Sequence, residues 1–277
     1  KDSTCQISVW TGPYAARSHR VIPVGGLPLA DPRIQGSGLL DERFLGEESV
    51  TAIAPSLAPD AGDDGEAIRL IVGRQQPSTI VEWVDLPGGP REFRVDDTGF
   101  WQVHREAPTV LAAAAQAAID PDRFDPAADN LDLYGGVGLL AAAVAELGGP
   151  ATRITTVESD ARATAHAETN RAALPGADAV TGRVDRWLAA VVREGRDFRG
   201  ATIVLDPPRS GAGGEVTQAL LELGAAQLVY VACDPVAFAR DAGTLQAGGY
   251  RLSGLRAFDL FPHTHHVEAV ATFLPTR

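Results

Sequence analysis

From residue 130 to the end, short apolar runs alternate with longer stretches whose apolar residues recur every three or four positions. A short run bounded by turn residues reads as a buried strand, and the longer period reads as a helix with one apolar face. Strands are therefore predicted at 131–133, 154–157, 202–205, 228–231 and 251–257. Helices are predicted at 139–147, 161–173, 185–194, 214–223 and 235–247. Residues 267–274 alternate and predict a closing strand, and 105–119 predict an Ala-rich helix ahead of the series. Strands and helices in this alternation build a doubly wound, mostly parallel sheet.

The first 95 residues lack that rhythm. Segments 67–72 and 79–84 alternate well enough to pair as a hairpin, 21–24 and 92–95 predict two further strands, and 58–66 is an acidic turn. The expected division is a smaller mixed α+β domain over 1–95 and an α/β domain over 96–277.

Composition narrows the class. With 45% hydrophobic and 22% charged residues, the 277-residue chain suits a soluble globular protein. No apolar run approaches the roughly 20 residues of a membrane helix, and the first 20 residues carry no apolar stretch of a secretory signal. Cys5 and Cys233 are the only cysteines, too few for a four-cysteine zinc site or an iron–sulfur cluster. A reducing cytoplasm is the expected setting. The chain has no Met, which points to a fragment or a trimmed chain. The net charge of −12 does not advertise nucleic-acid binding, so attraction to phosphate must come from local arginines. Such an acidic surface is compatible with a monomer.

Three constellations carry candidate chemistry. Asp132-Leu-Tyr134-Gly-Gly136-Val-Gly138 lies between a predicted strand and a helix, where glycines permit a tight turn and close approach of backbone to a ligand. Glu158 ends the next strand, where a carboxylate can accept hydrogen bonds from ribose hydroxyls. Either a nicotinamide dinucleotide or S-adenosylmethionine fits this turn. Asp132 favours the latter, because an acid there repels a pyrophosphate and suits the cationic methionine part.

The second constellation is Asp206-Pro-Pro-Arg209-Ser-Gly, where two prolines stiffen the backbone just past a strand end. The third pairs Tyr230-Val-Ala-Cys233-Asp-Pro with the later segment 261–268, FPHTHHVE. Cys233 is expected at or near a helix N-terminus, a place that lowers a thiol pKa. A lone cysteine is more often a small buried hydrophobe; the shared sheet edge with Asp206 and the glycine turn favours chemistry. His263, His265 and His266 do not make a metal site, because neighbours on a strand point to opposite faces and no cysteine is near. Glu268 is either a surface acid or a general base.

Together these pieces resemble the RNA 5-methyluridine (uracil-5-) methyltransferases, which act on uridines of transfer or ribosomal RNA. The likeness rests on Phe100-Trp-Gln102, DLYGGVG at 132–138, VESD at 157–160, LDPPRSG at 205–211, YVACDP at 230–235 and FPHTHHVE at 261–268, in the family's order. ARSHRVIPV at 16–24 is similar to the family's central-domain segment. The resemblance implies a Rossmann-like class I methyltransferase domain with a seven-stranded, mostly parallel sheet. It implies that Gln102, Tyr134, Glu158 and Asp206 contact S-adenosylmethionine, with Asp132, Gly136 and Gly138 in the same turn and Asp185 near the adenine. Phe100, Gln102 and Asp206 would hold the target uracil, with Arg209 or a backbone amide donating to its developing enolate. Cys233 would be the nucleophile and Glu268 the base. The family's N-terminal RNA-binding β-barrel is not evident. Three alternatives stay open: a related methyltransferase acting on another nucleobase position, an NAD-dependent oxidoreductase, and a non-catalytic RNA-binding relative.

Overall fold

The computed structural model describes residues 13, 21–45, 49–58, 68–261, 264 and 266–276. The chain divides into two units, Lys1–Ile80 and Val81–Arg277. In the first unit, Asp31 starts a single helical turn, α1 (Pro32–Gln35), by accepting from the Arg33 amide at 2.9 Å. The Arg33 guanidinium ties that turn to the Pro55 carbonyl at 2.7 Å. Strand β1 (Val50–Ile53) pairs antiparallel with β2 (Arg69–Val72), from Val50↔Val72 to Ile53↔Arg69.

That pairing corrects the sequence expectation. Segment 67–72 does not pair with 79–84. Instead β3 (Thr79–Leu86) turns through Pro87-Gly88 and pairs with β4 (Gly89–Asp96). A two-residue connection costs less closure entropy than the loop separating 72 from 79, and its glycines suit a tight hairpin. The strand expected at 21–24 is reduced to a bridge at Val21, since Pro23 has no N–H and Gly25-Gly26 follow. Segments 16–20 and 59–66 lie outside the described residues. Contacts group most of the β3–β4 hairpin with the larger unit, whereas the sequence pattern changes after residue 95.

The second unit continues with α2 (Ala107–Ala118), β5 (Asn130–Leu133), α3 (Leu139–Gly148), β6 (Ile154–Glu158) and α4 (Ala161–Asn170). Then come β7 (Ala177–Thr181), α5 (Val184–Glu194), β8 (Thr202–Leu205), α6 (Gly213–Leu223), β9 (Gln227–Ala232), α7 (Pro235–Ala247), β10 (Tyr250–Phe258) and β11 (Glu268–Pro275). The seven-stranded sheet has the order β10-β11-β9-β8-β5-β6-β7. Strands β7, β6, β5, β8 and β9 are parallel, while β11 is antiparallel to both β9 and β10. The Rossmann-like architecture read from the sequence is therefore present, with helix bounds within a few residues of expectation. Strand β7 is the one of the seven not picked out, because Ala-Asp-Ala-Val-Thr has a single large apolar side chain and owes its extension to β6.

Leu131, Leu133, Ile203, Leu205, Leu228 and Phe273 are fully buried in the sheet and pack with Leu188 of α5 and Leu220 of α6. Each such side chain contributes about 1.5–3 kcal/mol. Asn130 fastens the start of β5 by donating to the Arg153 carbonyl at 3.0 Å and accepting from the Thr202 amide at 2.8 Å.

Among the described residues, strand β4 has only β3 as a strand partner. Asn170, at the end of α4, serves its other edge like a short strand: it accepts from the Arg94 amide at 2.8 Å and donates to the Arg94 carbonyl at 3.1 Å. The same amide group also donates to the Val137 carbonyl at 3.0 Å, reaching the glycine turn. Buried Asp96 closes the strand by pairing with Arg162 and with Nε2 of His166, 2.8 Å away, both on α4. Hydrogen bonding from Arg162, aided by His166, holds the Asp96 carboxyl down at about 2.

The carboxylate of Asp96 thus adds stability above its ordinary value of 3.8, and that stability is lost as pH falls toward about 2. Asp96→Asn should lower stability near pH 7 by about 2 kcal/mol, read as a fall in Tm. The gap from wild type should narrow below pH ~4; a gap of constant size down the acid limb would show that Asp96 is not held by charge.

Candidate active site

Parallel strands β5, β6, β8 and β9 end at one edge, and each delivers a polar side chain there. Tyr134 follows β5, Glu158 closes β6, Asp206 follows β8 and Cys233 follows β9. Strand β11 runs the other way, so its first residue, Glu268, reaches the same edge. The last cross-strand pair toward that edge is Ala269↔Ala232. Continued one residue past that pair, the register would set Glu268 opposite Cys233, where residues share a sheet face, and both line the same cavity.

A cavity of about 1000 Å³ opens at this edge. Its wall contains Phe100, Gln102, Tyr134, Gly136, Glu158, Asp185, Asp206, Arg209, Cys233 and Glu268. Phe100 is 79% exposed, and its neighbour Trp101 is tilted against Phe93 with ring centroids 6.0 Å apart. Phe261 and His266 also line the cavity, while Pro262, His263 and His265 lie outside the described residues.

Two expected site residues do not reach the wall. Gly138 turns away as the left-handed N-cap of α3. Asp132 is buried beneath the turn, where Oδ2 accepts from the Ala141 amide at 3.1 Å and from Thr156 Oγ1 at 3.4 Å. Its Oδ1 has no hydrogen-bond partner among the described residues, and desolvation pushes its pKa up to about 7. The turn packs so closely on it that a Cβ at Gly135 would lie 2.4 Å from Asp132 Oδ2. Tyr134 itself adopts a left-handed φ of 61°, a strained conformation for a residue with a Cβ. Glu158 braces the turn through Oε2, which accepts from the Gly136 amide at 3.1 Å.

Burial dominates the electrostatics of the reacting end. The Asp206 carboxyl is pushed up to about 8, first by desolvation and then by Glu268 and Asp132. Burial also raises Glu268, 6% exposed, against the opposing pull of Arg209. The Cys233 thiol is pushed up by burial, then by Glu268 and Asp206, with Arg209 pulling it down. The lowered thiol pKa expected from a helix N-terminus is thus reversed. The α7 amides are taken by the N-cap Asp234, which accepts from Val236 at 3.0 Å and Ala237 at 2.8 Å, while the thiol faces two carboxyls.

The sequence reading missed Asp96, His166 and Arg183, which also line the cavity, and Asp241, which lies behind it. Arg183 donates from Nε to Asp185 Oδ1 at 3.1 Å and draws the Asp185 carboxyl down. The closeness of these two in sequence was the available signal. His166 and Asp96 are distant in sequence and offered none.

Comparison with known proteins gives the site a context. Residues 186–275 match the family profile described as tRNA (Uracil-5-)-methyltransferase. An uncharacterized RNA methyltransferase of Streptomyces avermitilis is 38% identical, over 94% of this chain and 63% of its own length. The 23S rRNA (uracil(1939)-C(5))-methyltransferase RlmD of Acidithiobacillus ferrooxidans is 38% identical, over 68% of this chain and 42% of its own. The chain therefore spans under two thirds of the length of these relatives. Among solved structures, Pyrococcus abyssi tRNA (uracil-54, C5)-methyltransferase, in complex with S-adenosyl-L-homocysteine, superposes with a TM-score of 0.57 at 22% identity. The superposition covers 89% of this chain and 53% of that one. A SAM-dependent methyltransferase from Agrobacterium tumefaciens gives 0.53 at 18% identity, over 78% of this chain and 76% of that one. The fold is that of these methyltransferases, and the family resemblance of the motifs is borne out.

The charge of Glu268 raises the Cys233 thiol, so removing it should ease thiolate formation. In Glu268→Gln the pH midpoint for alkylation of Cys233 should fall by about half a pH unit at low salt. In Arg209→Ala it should rise by a similar amount. An unchanged midpoint in both variants would show that neither charge faces the thiol.

Proposed function

We propose that this chain transfers a methyl group from S-adenosylmethionine to carbon 5 of a uridine in ribosomal or transfer RNA, with Cys233 as nucleophile and Glu268 as base. The opposition of Cys233 and Glu268 across β9 and β11, in a cavity shared with Asp206 and the glycine turn, carries the reading. The family resemblance supports it, and so does the S-adenosyl-L-homocysteine named with the Pyrococcus abyssi relative.

The cavity suits this ligand chemically. Glu158 and Asp206 line it, and Asp132 lies beneath with a buried oxygen that has no partner among the described residues. That set of carboxyls opposes a phosphate and favours a ligand bearing positive charge and hydroxyl donors. Gln102, Tyr134, Gly136, Glu158, Asp185 and Asp206 would hold it. When bound, S-adenosylmethionine supplies an electrophilic methyl group and a cation that offsets the surrounding carboxylates.

The protein's own groups do the rest. Carbon 5 of uracil is a poor nucleophile. The Cys233 thiolate adds to carbon 6, the ring electrons move toward carbon 5 and the carbon-4 oxygen, and an enolate forms. Arg209 acts electrostatically on Cys233 and Glu268 and lines the same cavity, and it would stabilise that charge. After carbon 5 has been alkylated, Glu268 takes its proton, the ring double bond re-forms, and the Cys233 thiolate leaves. Ionised Asp206 accepts the imide proton of uracil, which cytosine lacks. Phe100 offers a stacking face to a base taken out of its stack, at a cost of a few kcal/mol.

Cys233→Ala should abolish formation of 5-methyluridine in RNA, and RNA carrying 5-fluorouridine should accumulate a covalent complex on the Cys233 peptide. Methylation by the alanine variant at the wild-type rate would falsify the mechanism. Ligand charge is tested separately. At pH 7 Asp206 is mostly protonated, since its value is about 8, and a bound cation favours its ionised form. Binding of S-adenosylmethionine should therefore release a proton, seen as a binding enthalpy that differs between buffers of unequal ionisation enthalpy. Equal enthalpies would mean that the ligand does not reach Asp206.

A further inference from the structure

The loop that carries Asp206 and Arg209 is held from behind by a buried acid. Asp241, on α7, is 1% exposed. Its Oδ2 accepts from the Tyr230 hydroxyl at 2.7 Å, the Ala212 amide at 2.7 Å and the Gly213 amide at 3.3 Å. Its Oδ1 accepts from Arg240 at 3.0 Å (Nε) and 2.8 Å (Nη2), and the latter nitrogen also donates to the Ser210 carbonyl at 2.8 Å. Three consecutive stretches of the site therefore meet one carboxylate: the loop at 210–213, strand β9 three residues before Cys233, and the helix that follows Cys233. The fit is close. Gly211 has φ 78°, and a Cβ there would lie 2.5 Å from Asp241 Oδ2 and 2.6 Å from Arg240.

The loop is stiff at its other end, where the Asp206 amide donates to the Leu133 carbonyl at 3.2 Å and two prolines follow. The Gly211 amide folds it back on the Pro208 carbonyl at 2.7 Å, making a turn with Arg209 inside it. Arg209 thus sits between two fixed points, and Asp241 supplies the second.

We propose that Asp241 is a positioning residue: through Arg240 and the backbone at 210–213, it holds Arg209 on the cavity wall that it shares with Cys233 and Glu268. This deepens the reading in which those two residues react, but it concerns geometry that exists without RNA or cofactor. The groups facing the thiol are Asp206 and Arg209 from the loop and Glu268 from β11, with His266 on the same cavity wall. Arg209 is the cation among those acting on the thiol. If its turn swings free, the thiolate loses a favourable neighbour. A substitution that only loosens packing would lower Tm without moving the thiol relative to an Arg209-less protein.

The test is a double-mutant cycle on alkylation of Cys233 by iodoacetamide, followed by mass spectrometry of the Cys233 peptide so that Cys5 does not contribute. Asp241→Asn should raise the pH midpoint, as Arg209→Ala does, and slow alkylation about two- to threefold at a fixed pH below it. In the Arg209→Ala background, Asp241→Asn should have no further effect on the midpoint. Because Asp241 is buried, Arg240→Ala is measured alongside. It removes the bond to Ser210 from a half-exposed side chain, and its smaller shift should likewise vanish without Arg209. A folded Asp241→Asn with the wild-type midpoint would overturn the proposal. So would shifts that add fully to that of Arg209→Ala. If Asp241→Asn does not fold, an unshifted Arg240→Ala overturns it equally. None of these readings needs RNA methylation, so failure of the proposed reaction and failure of this clamp are separable.

Discussion

The site depends on the antiparallel pairing of β11 with β9. A purely parallel sheet would bring only the residues that follow strands to its carboxyl edge, each separated by a strand spacing. Reversing one strand brings a residue that precedes a strand to the same edge, directly opposite a residue that follows the neighbouring one. Extended one residue past Ala269↔Ala232, that register brings Glu268 to the side of the cavity that holds Cys233. Strand pairing has a period of two, so a slip of one residue would send Glu268 to the other face and leave the thiol with no acid opposite. The buried runs on β9 and β11, including Leu228, Tyr230, Ala271 and Phe273, fix that register through core packing.

The same arrangement crowds acids into a desolvated space. Burial raises the proton affinity of Asp206, Glu268 and Asp132; Glu268 and Asp132 raise Asp206 further, Glu158 raises Asp132 further, and Arg209 opposes the rise at Glu268. In the absence of a ligand this costs stability, as strained and crowded functional sites commonly do. It also favours a ligand that carries positive charge. A thiol held above its ordinary value becomes a nucleophile only when the surrounding negative charge is offset. In the proposed reaction, binding of a positively charged ligand and activation of Cys233 would be coupled through the same carboxylates.

Three buried acids serve the cavity without presenting a side chain to the chemistry. Asp96 docks the β3–β4 hairpin on α4, from which the segment with Phe100 and Gln102 departs. Asp132 underlies the glycine turn and takes the Ala141 amide of α3. Asp241 holds the loop after β8. Asp132 and Asp241 answer backbone amides, and Asp96 is answered by Arg162 and His166, which is how a buried polar group is kept inside a protein.

The order of strands and helices in the larger unit was legible in the sequence because hydrophobic period is local, and so was the clustering of Glu158, Asp206 and Cys233 at strand ends. Motif order extended that to Glu268, Phe100 and Gln102. Other features depend on partners far apart in the chain. The β1–β2 pairing, the edge strand β7, the burial of Asp132 and the Asp96–His166 contact arise from residues that no short window contains. The sign of the Cys233 shift belongs with them. From the sequence, a cysteine before a helix suggests an eased thiolate. In the folded chain Asp234 takes the helix amides and two carboxyls from other strands face the sulfur. Local pattern sets which residues lie at an edge. Which charges meet there, and in what dielectric, is decided only when the sheet closes around them.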